Sequence, residues 1–154
     1  MREQSAPSFY GLLSEDEPLE WEWVEEQLTA SGLYWASTRS PLHPHPRPVW
    51  GVWHDERLFL SIGTPLARDV LALDPLMTVH LESGTDVVIM EGLSVAESLD
   101  DAVIGAYNEK YDWTYDIEEY GALTEVVPVK VLAWRAAGWA GRESFTHSGR
   151  WDFR

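Results

Sequence analysis

Cysteine is absent from the 154 residues, which excludes disulfides, thiolate metal sites and thiol nucleophiles. Long apolar runs are missing too: none approaches the ~20 residues needed to cross a bilayer, so no membrane partner is expected. The opening stretch, MREQSAPSFYGLLSEDE, has no apolar core of the signal-peptide kind, and a cytoplasmic location is the expectation. Basic residues are scarce, 11 Lys and Arg against 26 Asp and Glu, for a formal net charge of −15. Such a surface repels phosphate backbones, so nucleic acid is not an expected partner. P-loop, G-x-G-x-x-G, H-E-x-x-H and G-x-S-x-G patterns are all missing.

What is present is unevenly placed. Residues 1–26 carry eight acids and one base, and residues 97–125 carry nine acids and one base. The remainder holds nine of each sign, so a neutral body bears two acidic segments. The length suits one domain with a single sizeable core.

The first acidic segment reads as a helix. Ser14 and Glu17 form a possible capping box, Pro18 suits a first turn, and Trp21, Val24 and Leu28 recur at helical spacing. Ser31-Gly32 ends it. Leu33–Thr38 is an aromatic-rich strand, and Arg39–Pro48, with four prolines, is a loop or a sheet edge. Val49–His54 runs through the turn Asp55-Glu56 into Arg57–Ile62, a hairpin. Leu66, Val70 and Leu73 space a short helix that Asp74-Pro75 stops. Leu76–Glu82 and Asp86–Ala96 form a second pair, with Gly92 at a bulge or a bend. Asp100-Asp101 opens a helix bearing Val103, Ile104, Tyr107 and Tyr111, after which Asp112–Leu123 reads as loop. Val126–Trp134 is a long strand, and Glu143–Arg154 supplies a last short one. Six or seven antiparallel strands with helices between them predict an α+β fold, mainly β, built as a small barrel.

Few residues offer chemistry. His43 and His45 lie at i, i+2 beside prolines, a metal-like spacing without a third ligand, and a Pro-rich loop is the favoured reading. Trp50 and Trp53 differ by three, so they point to opposite faces of a strand: one fills the barrel and the other faces a partner or a ligand. Ser61-Ile62-Gly63-Thr64 ends a strand just before a helix carrying Arg68. Backbone N–H groups, hydroxyls and an Arg there make a phosphate site; an ordinary strand-to-helix turn accounts for them equally well.

The hairpin LHPHPRPVWGVW, the unit LFLSIGTPLARDVLALDP, the pair MTVHLES and VVIMEG, the helix AYNEKYDW, the strand VKVLAW and the terminal RW-F occur in a fixed order. Together they resemble the pyridoxamine 5′-phosphate oxidase-like, FMN-binding split-barrel family, in its flavin- and deazaflavin-dependent oxidoreductase branch. The resemblance implies a split β-barrel over residues 32–154, with residues 1–31 an acidic helical segment packed on it. It also implies a homodimer with FMN or a deazaflavin in each groove between protomers, and hydride transfer to or from a small organic substrate. The ring would lie along Arg47, Pro48, Val49 and Trp50. The phosphate would sit at Ser61, Ile62, Gly63 and Thr64 near Arg68, with Trp151 close to the groove. One departure stands out: the family's turn commonly reads Ser-Arg-Lys where this chain has Thr64, Pro65 and Leu66, so two cations are missing. A charged contact contributes ~1.5–3 kcal/mol. The alternative is therefore a cofactor-poor barrel that binds or sequesters an aromatic ligand without catalysis. No residue stands out as a general acid or base.

Overall fold

The computed structural model describes residues 1–5, 8–9, 12–13, 18–39, 43–135 and 147–154. The proposed capping box at Ser14–Glu17 and the start of the last predicted strand, residues 143–146, lie outside them. In chain order the elements are β1 (Arg2–Ser5), β2 (Ser8–Phe9), β3 (Leu12–Leu13), α1 (Trp21–Ala30), β4 (Tyr34–Arg39), β5 (Pro44–Val49), β6 (Gly51–His54) and β7 (Arg57–Leu60). There follow α2 (Pro65–Leu73), β8 (Leu76–His80), β9 (Asp86–Ser98), α3 (Asp101–Tyr111), α4 (Ile117–Tyr120), β10 (Leu123–Arg135) and β11 (His147–Phe153). The strand pairs are antiparallel, in the order β1-β11-β10-β9-β8-β4-β5, with β7 joining β10 and β6 joining β7.

The long strand β10 organises this sheet. One side pairs with β9 along its length; the other pairs first with β7 at Thr124–Val126 and then with β11 at Lys130–Arg135. Register shifts beside Gly92 bend the β9–β10 pair, as the lone strand glycine predicts. A Cβ on Gly92 would stand 2.7 Å from Val126 Cγ1, so no larger residue fits that bend. Asp55 and Glu56 both take positive φ, the two-residue turn that the hairpin reading requires.

Several boundaries differ from the sequence reading. Pro18 is not in a helix: it bridges Ser148, and the Leu19 N–H donates to the Ser148 carbonyl at 3.1 Å, so α1 begins only at Trp21. The stretch Val49–His54 is two strands, because the chain changes partners at Trp50: β5 pairs with β4, and β6 with β7. Pro44, Pro46 and Pro48 occupy alternate positions of β5, so their missing N–H groups all fall on its free edge. Asp112–Leu123 contains the short helix α4, whose first N–H groups are capped by the Asp116 carboxylate.

Two apolar clusters result. The main core gathers Trp21, Val24 and Leu28 of α1 with Trp53, Leu58, Leu60, Met90, Val131 and Trp151. Trp21 meets Trp151 edge-on at 5.4 Å and Trp53 at 6.3 Å. The second cluster places Val52 and Phe59 against Val103, Tyr107, Tyr115 and Leu123. Strand alternation explains the split: Trp53, Leu58 and Leu60 face the barrel, whereas Val52 and Phe59 face α3. The N-terminal segment is part of this body, since β1 extends the sheet beside β11 and α1 contributes to the main core.

Candidate functional site

A cleft of about 370 Å³ opens between the β4–β5 sheet edge, the turn after β7 and the α3–α4 segment. Its size lies within the ~300–1,000 Å³ range common to ligand pockets. The floor follows from strand alternation: Ala36 and Thr38 of β4 stand beside Arg47 and His45 of β5, their register partners, and Val49 continues the face. The turn end is built from Ser61, Ile62, Gly63 and Thr64, with Ala67 of α2 behind them. Opposite stands an aromatic wall of Trp50, Tyr107, Trp113, Tyr115 and Tyr120.

The wall is held by contacts across long sequence distances. Trp50, 43% exposed, stacks on Tyr111 at 4.7 Å with the rings 7° from parallel, and meets Trp113 edge-on at 6.1 Å. Trp53 is buried in the barrel, so the two tryptophans do point opposite ways. The Tyr111 hydroxyl accepts from the Gly51 N–H at 3.0 Å and shares its proton between the carbonyls of Gly51 (2.9 Å) and Gly32 (3.2 Å). That hydroxyl ties the end of α3 to the start of β6. Behind it, the Tyr34 hydroxyl donates to the Leu28 carbonyl at 2.5 Å and accepts from Lys110 Nζ at 2.8 Å. Burial pushes the Lys110 ammonium down to about 8 and the Tyr34 and Tyr107 phenols well above their ordinary range. The Ser61 hydroxyl lies 3.4 Å from the Tyr115 hydroxyl, joining wall to turn.

Of the residues picked out by sequence, Arg47, Pro48, Val49, Trp50, Ser61, Ile62, Gly63 and Thr64 line this cleft. Arg68 and Trp151 do not. The Arg68 guanidinium donates through Nε to the Ile62 carbonyl and through Nη2 to the Tyr120 carbonyl, each at 2.8 Å. It packs against Gly121, where a Cβ would come within 2.8 Å of it and where φ is +76°. Arg68 thus staples the turn to α4 from behind. Trp151 is buried in the main core. His43 is exposed and uses Nδ1 on the Pro44 carbonyl, while His45 is buried; among the described residues no group of three potential metal ligands occurs.

Sequence reasoning missed Ala36, Thr38 and the wall residues Trp113, Tyr115 and Tyr120, and it weighed His45 only as a metal ligand. The available signal was aromatic density: Tyr107, Tyr111, Trp113, Tyr115 and Tyr120 fall within one acidic segment. Thr38 and His45 had no local signal. They are 4% and 7% exposed, and the Thr38 hydroxyl and His45 Nδ1 have no hydrogen-bond partner among the described residues. An orphaned buried polar group costs about 1–3 kcal/mol, and two of them stand side by side on adjacent strands of the cleft floor.

These residues fit one part of a flavin and not another. A flat ring with a polar edge matches the apolar floor, the aromatic wall and the Thr38–His45 pair. The dianionic phosphate of FMN finds no Lys or Arg side chain lining the turn among the described residues: Pro65 and Leu66 are neutral, and Arg68 stands behind the turn with its Nε and Nη2 on two backbone carbonyls. Among the described residues that line the cleft, Arg47 is the sole Lys or Arg, and it donates to the Pro46 carbonyl at 2.7 Å.

No protein-family model matches the sequence, and no curated protein does. Solved structures do. An FAD-binding protein from Mesorhizobium loti superposes with a TM-score of 0.59 at 15% identity, covering 88% of this chain and 96% of that one. An F420 reductase matches with a TM-score of 0.56 at 19% identity, over 69% of this chain and 94% of its own. A protein of the pyridoxinephosphate oxidase family from Clostridium acetobutylicum, related to general stress protein 26, matches at 0.51 and 14% identity, over 74% and 84%. Among the described residues no helix is long and apolar enough to cross a membrane. The α+β, mainly antiparallel architecture of this chain is the split-barrel fold of the pyridoxamine 5′-phosphate oxidase-like proteins.

Proposed function

We propose that the cleft binds a flavin-type ring, from FMN or a deazaflavin, and that the protein is a cytoplasmic oxidoreductase acting on a small organic molecule by hydride transfer. The observation that carries this reading is the orphaned Thr38–His45 pair on the floor of a cleft walled by aromatic rings. The solved neighbours add support, since they include an FAD-binding protein and an F420 reductase on the same fold. The bound ring would supply the redox chemistry. The chain's own residues orient it: the floor sets its plane, the Thr38 hydroxyl and His45 imidazole take its polar edge, and Trp50 and Trp113 keep water from one side. We further propose that two copies associate, for which the exposed Leu73, Leu76, Val95 and Leu99 offer apolar surface. The test is the visible spectrum and melting temperature of the purified protein with FMN and with a deazaflavin. Bound-ring absorbance or a rise in melting temperature is expected; neither with either cofactor rejects the reading.

A second reading, binding or sequestration of an aromatic ligand without catalysis, draws on a separate observation. No carboxylate lines the cleft among the described residues, so a general acid or base would have to be His45 or a tyrosine. Anaerobic reduction of the bound ring followed by reoxidation with small acceptors separates the two: a ring that cannot be turned over supports sequestration.

A further inference from the structure

The two ends of the cleft offer a ligand different things. The floor end presents the Thr38 hydroxyl and His45 Nδ1, both without a hydrogen-bond partner among the described residues. The turn end has the layout of an anion site without a Lys or Arg side chain lining it among the described residues. Pro65, first in α2, has no N–H to give. The next donors are used locally, with the Ala67 and Arg68 N–H groups both bonded to the Thr64 carbonyl, at 3.1 and 3.3 Å. The N–H groups of Ile62, Gly63, Thr64 and Leu66 have no partner among the described residues, so the donors left at this end are uncharged. Arg68 spends its guanidinium on Ile62 and Tyr120. Across the turn stands Tyr120. Arg47, the one Lys or Arg lining the cleft among the described residues, sits on the floor opposite Ala36 and not at the turn.

We propose that the cleft takes an uncharged flat heteroaromatic ring in preference to its phosphorylated form, so that among flavins riboflavin is the better ligand and FMN the poorer. This rests on the flavin-type reading above and deepens it, naming the class of ligand the site admits. Neutral donors and apolar walls lose nothing when the phosphate is absent. A dianion at the turn would give up its hydration for uncharged N–H and hydroxyl donors, on a chain of net charge −15.

The experiment titrates the full-length protein with riboflavin and, separately, FMN, reading quenching of ring fluorescence at low salt. Riboflavin is expected to bind about fivefold or more tightly than FMN, and added salt narrows the gap by screening the repulsion. In the double variant Pro65→Arg/Leu66→Lys, FMN affinity rises about tenfold or more while riboflavin stays within about twofold. Wild-type protein that binds FMN more tightly than riboflavin overturns the proposal and leaves the flavin-type reading standing. A double variant that gains no FMN affinity overturns the assignment of the preference to this turn. Binding of neither flavin overturns the preference, and the reading beneath it falls as well when a deazaflavin also fails to bind.

Discussion

The two acidic segments are alike in composition and opposite in use. In α1 the aromatic and aliphatic side chains point inward: Trp21, Val24 and Leu28 are buried against Trp53 and Trp151, and the glutamates cover the outer face. In α3–α4 only part of the aromatic surface is buried. Tyr107 and Tyr115 pack on Val52 and Phe59, while Trp113 and Tyr120 stay exposed along the cleft. The difference comes from what each segment meets. A barrel interior accepts a whole helix face; the back of a two-stranded hairpin covers one layer of rings and leaves the next for a ligand. Like composition therefore does not imply like function: α1 stabilises the fold, and α3–α4 forms a wall.

The contrast can be broken at several points, beginning with the largest effect. Trp21→Ala removes the ring shared by Trp53, Trp151 and Phe153 and should lower unfolding free energy by about 3–5 kcal/mol, read from urea denaturation. Ring binding by the fraction still folded should be unchanged. Tyr111→Phe deletes the hydroxyl that joins α3 to Gly51 and Gly32, with a cost of about 1–2 kcal/mol in the same assay and weaker ligand binding as Trp50 loses its fixed support. Thr38→Val exchanges an orphaned hydroxyl for a methyl group, so the free protein should gain up to about 1 kcal/mol while flavin affinity falls several-fold. A variant that loses stability without losing affinity would show that the hydroxyl serves the fold instead. Trp113→Ala should leave stability within about 0.5 kcal/mol and reduce affinity, the reverse of the outcome at Trp21.

A further effect concerns pH. Lys110 has its folded pKa lowered to about 8 by burial, below the ordinary 10.5, so across that window the unfolded chain binds more protons than the folded one. Stability should therefore rise with pH from about 8 until the buried tyrosines begin to oppose it above 10, where the unfolded chain loses phenolic protons that the folded one keeps. Melting temperatures of wild type and Lys110→Met, compared from pH 7 to 10, check this: the relative rise should vanish in the variant.

Much of the fold was legible because it is written locally. The Asp55-Glu56 turn, the Gly92 bend, the Asp100 cap and the stop at Asp74-Pro75 each rest on the conformational preferences of a few adjacent residues. The misplaced start of α1 and the split at Trp50 were not legible, since Ser148 pulls on Leu19 and the change of strand partner occurs between distant segments. The site divides in the same way. Its floor strand and its turn could be named from sequence, but the use of Arg68 could not, because Tyr120 lies far along the chain.

By itself, then, the sequence determined most element types between residues 21 and 135, the neutral body with two acidic segments, and the neutral residues at Pro65 and Leu66. These are properties of single residues and near neighbours. Only the tertiary structure decided that Thr38 meets His45 on one floor, that Trp151 is core, and that Tyr111 reaches back to Gly51. Those outcomes depend on which surfaces find each other when the chain closes its core, and no residue carries that information alone.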